Sequence, residues 1–129
     1  METITQTLYE KYGGKPTVDT LVAYFYEQLV LKDPLVSGFF THIDMESQKK
    51  KQSNFIAFAL GAKEKYTGKT MSHVHKGMGI QDAQFTRIID HLVKTLQVHG
   101  VEAKDVEAVR QKLNTFHDDV VEKPALVSI

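Results

Sequence analysis

Apolar residues recur at three- and four-residue intervals along nearly the whole chain, and no segment alternates apolar and polar residues between turn signals. That periodicity restricts the fold to the all-α class. A short first helix is expected over roughly residues 4–11, stopped by Gly13 and Gly14. Pro16 and Thr17 suit the start of a second, whose stripe of Val18, Leu21, Val22, Phe25 and Leu29 runs on toward Pro34. After a tight corner at "SGFF", Asp44 is placed to cap a third helix that ends near Gly61. The stretch "GAKEKYTGK" reads as a loop, and residues 70–78 as at most two helical turns before Gly77 and Gly79 loosen the backbone. A long helix over residues 82–99 carries Phe85, Ile88, Ile89, Leu92 and Leu96 on one face. The last carries Val106, Val109, Leu113, Phe116 and Val120 until Pro124.

The chain's 129 residues suit one domain, residues 1–129, with neither an internal repeat nor a linker. Sixteen basic residues balance sixteen acidic ones, which gives no electrostatic reason to expect nucleic acid or an anionic membrane as a partner. With no cysteine, disulfides and thiolate metal sites are excluded, as suits a reducing compartment. The greasiest run, "LVAYFYEQLVL", is too short and too interrupted to span a bilayer, and the first twenty residues lack an apolar signal core. A cytoplasmic location is the expectation.

Function is written in the residues that break the stripes. Between Asp44 and Leu60 the inward positions are Met45, Phe55, Ile56 and Ala59, yet positions 48 and 52 on that same face hold Gln48 and Gln52. A single amide there reads as a boundary residue reaching water. Two of them a helical turn apart suggest a cavity with something polar in it, because a buried amide without a partner is costly. Tyr26 adds a third hydrogen-bonding tip beside the stripe of the second helix. In "TMSHVHKGMGI", His75 lies on a face with Met71, Val74 and Met78. It is either a core histidine bonded to a backbone carbonyl or a metal ligand, and a short glycine-flanked helix is a poor contributor to an ordinary core. Together these residues suit a metal cofactor held by His75 on one side with a polar ligand on the other.

The segments "LYEKYGG", "FYEQ", "FFTHIDMESQKKKQSNF", "LGAKEKYTGKTM", "VHKGMGI" and "QFTRIIDHL" resemble, in order and approximate spacing over essentially the whole chain, the group I truncated haemoglobins. The resemblance implies a shortened globin with helices stacked two over two around haem b. It makes His75 the proximal ligand of haem iron, and Tyr26, Gln48 and Gln52 the distal groups that hydrogen-bond a gaseous ligand. Phe40, Phe55, Tyr66, Met71 and Phe85 match haem-lining positions. Lys49 and Lys50 read as a solvated outer face. Lys51 matches a distal-rim position that in some relatives supplies an internal sixth ligand, and is otherwise a propionate partner or a free surface lysine. His117 lies close to, but one residue past, a position at which some relatives attach haem covalently. Two departures accompany the match: Gly61-Ala62 stands where the family often has Gly-Gly, and one extra residue between Tyr26 and Phe39 implies a bulged corner.

What the resemblance implies about function is binding of O2, NO and CO at a five- or six-coordinate haem iron. The chemistry implied is dioxygenation of nitric oxide with an external, unidentified reductase, since the chain has no flavin or nicotinamide signature. The alternative in the same pocket is a non-catalytic oxygen-binding or gas-sensing globin. A cofactor-free helical interaction module, in which His75 and the glutamines are merely buried polar residues, is the rival from another class. A monomer or weak dimer is expected.

Overall fold

The helical periodicity appears in a computed structural model that describes residues 7–62 and 79–121, in which every regular element is helical. Helix α1 (Leu8–Lys11) is a single turn, started by Thr7, whose hydroxyl accepts from the Glu10 amide at 3.1 Å. One turn does not hold itself together in water. It is tied to the far end of the chain instead: Lys11 Nζ meets Asp105 Oδ2 at 2.8 Å, and the Tyr12 hydroxyl donates to the same oxygen at 2.6 Å. Asp105 stands in the first turn of α5 (Ala103–Asn114), where a carboxylate also suits the helix dipole.

Helix α2 (Lys15–Tyr24) begins with Pro16 in its first turn, after a left-handed Gly13-Gly14 pair with φ of +110° and +71°. The sequence suggests one continuous stripe to Leu29, and here the structure differs. From Phe25 to Leu29 the backbone is a π-helix, in which the Val30 amide reaches back five residues to the Phe25 carbonyl, and Val30–Lys32 close in a 3-10 turn. A π turn holds one residue more than an α turn, so the inward position below Phe25 falls to Val30, which is fully buried, while Leu29 is half-buried.

Helix α3 (Met45–Ala59) is capped as expected, Asp44 Oδ1 accepting from the Glu46 amide at 3.1 Å. It ends at Gly61, whose φ of +87° requires the glycine; Ala62 has no positive φ and returns a backbone bond to Ala57 at 2.9 Å, so alanine suits the second place of that pair. Helix α4 (Asp82–Val98) starts where Gln84 Oε1 accepts the Gln81 amide at 2.9 Å, and stops before Gly100. The last stripe is broken, which corrects the expectation of one helix to Pro124. The Thr115 hydroxyl bonds back to the Lys112 carbonyl at 2.6 Å, α5 ends at Asn114, and α6 (His117–Val120) follows. The inward register survives the break, with Val120 buried and Phe116 edge-on to Phe55 at 5.5 Å.

Helices α2 and α3 pack on each other, as do α4 and α5, and the pairs cross-contact through α2 with α4 and α3 with α5. This is the expected two-over-two arrangement. Two polar ties fix its edges. Lys112 Nζ donates to the Phe58 carbonyl at 3.3 Å and sits 4.6 Å from the Phe58 ring centroid, joining α5 to the end of α3. Asp33, buried after the 3-10 turn, accepts from the Leu35 amide (3.1 Å) and from Arg87 (3.1 Å) and pairs with His91 Nε2 (2.6 Å), joining the corner to α4.

Burial alone would raise the Asp33 pKa, but the bonds from His91 and Leu35 and the Arg87 charge together bring it below its ordinary 3.8. A carboxylate with a depressed folded pKa adds stability above its unfolded value and loses it as pH falls through the folded one. Asp33→Ala should therefore lower stability near neutrality by about 2 kcal/mol, roughly 6–10 °C in thermal midpoint for a domain of this size. The gap from wild type should close on acidification below 3.8. A gap that stays constant on acidification would show that the carboxylate's charge is not what binds.

Candidate functional site

Tyr26 stands in the π turn. Phe25 and Tyr26 are both buried there, at 2% and 1% exposure. The Tyr26 ring packs edge-on against Phe25 at 4.9 Å and against Phe40 of the corner at 5.4 Å. Its hydroxyl meets α3, where Gln48 Nε2 donates to Tyr26 Oη at 3.1 Å. The phenol oxygen thus serves as an acceptor, and its own proton has no acceptor among the described residues. Burial pushes the Tyr26 pKa up to about 12 against the opposing pull of the Gln48 bond, so at neutral pH the proton is present and available to donate.

Gln52, one turn further along α3, is half-buried like Gln48. Of the three polar tips singled out in the sequence, Tyr26 and Gln48 are therefore brought into direct contact, with Gln52 on the same helix. Phe40 borders Tyr26, while Phe55 and Phe85 are buried, the former against Phe116 and the latter 5.1 Å from the ring of His117. His75, Tyr66 and Met71 lie outside the described residues. Lys51 is exposed. Lys49 departs from the solvated face expected of it: its Nζ pairs with Glu27 Oε1 at 3.2 Å, one residue along from the Tyr26–Gln48 contact on both elements. The signal for that pair was present in the sequence as opposite charges immediately after Tyr26 and Gln48. His117 engages both ring nitrogens with carboxylates, Nδ1 with Asp118 at 3.0 Å and Nε2 with Asp82 at 2.5 Å, and these bonds raise its pKa.

The site thus holds a buried phenol set among aromatic rings, accepting from an amide, with its own proton unspent among the described residues. Comparison with known proteins identifies the family to which this arrangement belongs. The bacterial-like globin family model matches residues 7–122. A group 1 truncated hemoglobin from Tetrahymena pyriformis is 36% identical over 118 residues, covering 92% of this chain and 97% of that protein. Another from Tetrahymena thermophila is 38% identical over 112 residues, covering 81% and 92%. The chain belongs to the group 1 truncated haemoglobins. The fold agrees with those of solved members: the T. pyriformis protein in its Fe(III) form superposes with a TM-score of 0.84 over 92% of this chain and 100% of that one, at 36% identity. The 2/2 hemoglobin of Synechococcus, in the cyanomet state with covalently attached heme, gives 0.84 over the same shares at 33% identity. In the T. pyriformis protein a tyrosine and two glutamines have each been substituted singly.

As a truncated haemoglobin the protein binds haem b and small gases such as O2. The described residues fit that cofactor: the Tyr26 hydroxyl supplies a donor of the kind a polar diatomic ligand needs, and Phe40, Phe55 and Phe85 supply the apolar and aromatic surface that a porphyrin face packs against. None of the described helices is long and apolar enough to cross a membrane.

The direction of the Tyr26–Gln48 bond is open to direct test. The donated amide proton favours the phenolate, so removing it with Gln48→Leu should raise the Tyr26 ionisation further, as read from an ultraviolet alkaline titration compared with Tyr26→Phe. A fall in that midpoint would mean that the amide is not the donor.

Proposed function

We propose that this truncated haemoglobin uses dioxygen chemically, oxidising nitric oxide to nitrate, with electrons returned by a separate reductase. The observation that carries the reading is the Tyr26 hydroxyl, buried, accepting from Gln48 and left with a proton to donate. When bound, ferrous haem supplies the site for dioxygen and the single electron that nitric oxide and dioxygen need to become nitrate. Each turnover therefore consumes one reducing equivalent, and the chain carries no flavin or nicotinamide signature of its own to supply it.

In this reading residues 1–129 form one globin domain and His75 is the proximal ligand, with Phe40, Phe55, Tyr66, Met71 and Phe85 lining the porphyrin. Tyr26 donates its hydroxyl proton to the outer, partly negative atom of dioxygen held in the pocket, a charge-assisted bond that slows release. Gln48 keeps the phenol turned so that this proton is free, and Gln52 offers a second amide to the same space. The exposure of Lys51 supports its role as a surface lysine or propionate partner rather than as an internal sixth ligand. Slow release is poor for delivery and suits consumption of the held oxygen. A monomer or weak dimer in the cytoplasm completes the proposal.

Loss of a hydrogen bond to a charged group removes about 1.5–3 kcal/mol, so Tyr26→Phe should speed oxygen release by roughly ten- to a hundredfold in stopped-flow measurements. Carbon monoxide, less polar when held, should respond much less. Nitric oxide mixed with the oxygenated wild-type protein should give nitrate and ferric haem within the mixing time, and continued turnover should require an added reductase. Wild-type oxygen release in Tyr26→Phe would sink the role given to the phenol. Normal oxygen binding without nitrate would favour the oxygen-binding or gas-sensing alternative. His75→Ala should weaken haem retention and alter both ferric and ferrous absorption spectra; unchanged spectra would place the proximal ligand elsewhere.

A further inference from the structure

Two contacts join the π turn to α3, and they lie side by side. Tyr26 meets Gln48 at 3.1 Å, and the next residue along each element makes the second contact, Glu27 with Lys49 at 3.2 Å. The first is the buried one, with Tyr26 only 1% exposed. The second lies nearer the surface, its side chains 26% exposed at Lys49 and 55% at Glu27. A glutamine side chain has three rotatable bonds, and Gln48 is half-buried, so water competes for its amide. Gln48 keeps its place on the phenol only while the two backbones hold this separation and register. Any unwinding of the π turn that carries Tyr26 away also draws Glu27 off Lys49.

We propose that Glu27 and Lys49 form a positioning pair for the Tyr26 hydroxyl, clamping the π turn to α3 so that the pocket's hold on its gaseous ligand depends on ionic strength. The inference rests on the reading of Tyr26 as the donor. Neither charged group touches the ligand, and the pair acts through Gln48 and the phenol. A pair this exposed is worth little as stability and is weakened by salt, which gives it a signature that the buried contact lacks.

The test uses the haem-loaded full chain as wild type, Lys49→Met, Glu27→Gln, the charge exchange Glu27→Lys with Lys49→Glu, Tyr26→Phe, and Lys50→Met as an exposed neighbouring control. Two readouts are taken at low and high sodium chloride: oxygen release by stopped flow, and the C–O stretching band of the carbon monoxide complex, which reports hydrogen-bond donation in the pocket without turnover. Either neutralising variant should release oxygen about two- to fivefold faster than wild type at low salt, the size such an ion pair allows. It should also shift the C–O band toward the weakly hydrogen-bonded form and remove the salt dependence. The charge exchange should restore both readouts, and Lys50→Met should change neither. Neutralising variants that behave as wild type, beside a Tyr26→Phe that releases oxygen faster, would overturn the positioning pair and leave the phenol's role standing. A Tyr26→Phe that also behaves as wild type would remove the reading on which the pair rests. Acceleration by Lys49→Met that persists undiminished in the Tyr26→Phe background would also overturn it, because the effect would not pass through the phenol. Should a variant fail to fold, a wild-type release rate unaffected by salt is enough to reject the proposal.

Discussion

A phenol can be buried only if its hydroxyl finds a partner, and that requirement at Tyr26 governs the rest of the site. The ring is almost wholly enclosed, so leaving its oxygen unpaired would forfeit much of what the burial of the ring contributes. Gln48 meets the requirement from another helix, which makes the packing of α2 and its π turn against α3 a condition of the phenol's stability as well as of its chemistry. The amide satisfies the oxygen without consuming the proton. A carboxylate or a carbonyl in that place would have accepted the proton and left nothing to offer a ligand.

Holding two helices at one separation is difficult for a chain of this length, and polar ties at the edges of the sandwich share the task. Asp33 fastens the corner that carries Phe40 to α4, so the ring beside Tyr26 is positioned by a carboxylate several residues upstream. Asp105 gathers Lys11 and Tyr12 and brings the first turn onto α5, while Lys112 secures the end of α3. Each tie pairs a charge with a donor or a backbone carbonyl at an edge. The interior between the helix pairs is left to aliphatic and aromatic side chains, with Thr95 satisfying its own hydroxyl on the His91 carbonyl.

Much of this was legible in one dimension. Amides at Gln48 and Gln52 interrupt an apolar stripe, and the structure finds both half-buried, with Gln48 partnered by the Tyr26 hydroxyl. The cap at Asp44 and the stop at Gly61 were readable too, each being a residue type that one backbone position demands. The π turn was not readable. Leu29 is apolar and correctly spaced for an α stripe, so nothing in composition distinguishes it from Val30, and only the five-residue bond shows which of them turns inward. The break at Thr115 was hidden in the same way, since Phe116 and Val120 keep the inward register across it. Periodicity reports which face is buried. It does not report how the backbone gets there.

Of the two glutamines, Gln48 is the one whose side chain meets the phenol. Gln48 donates and Tyr26 accepts, which leaves the phenol's own proton without an acceptor among the described residues. Donor chains of this kind polarise along their length: an oxygen that accepts a proton from one side gives up its own more readily on the other. Burial outweighs this pull and pushes the Tyr26 pKa up to about 12, so the phenol keeps its proton at neutral pH and does not become an anion. An ionised tyrosine would repel the partly negative end of dioxygen, and a cationic donor in its place would carry a desolvation cost that no described counter-charge at the hydroxyl offsets. A neutral phenol steadied by a neutral amide avoids both costs, which is why the interior of this helical sandwich can hold a strong hydrogen-bond donor and remain uncharged.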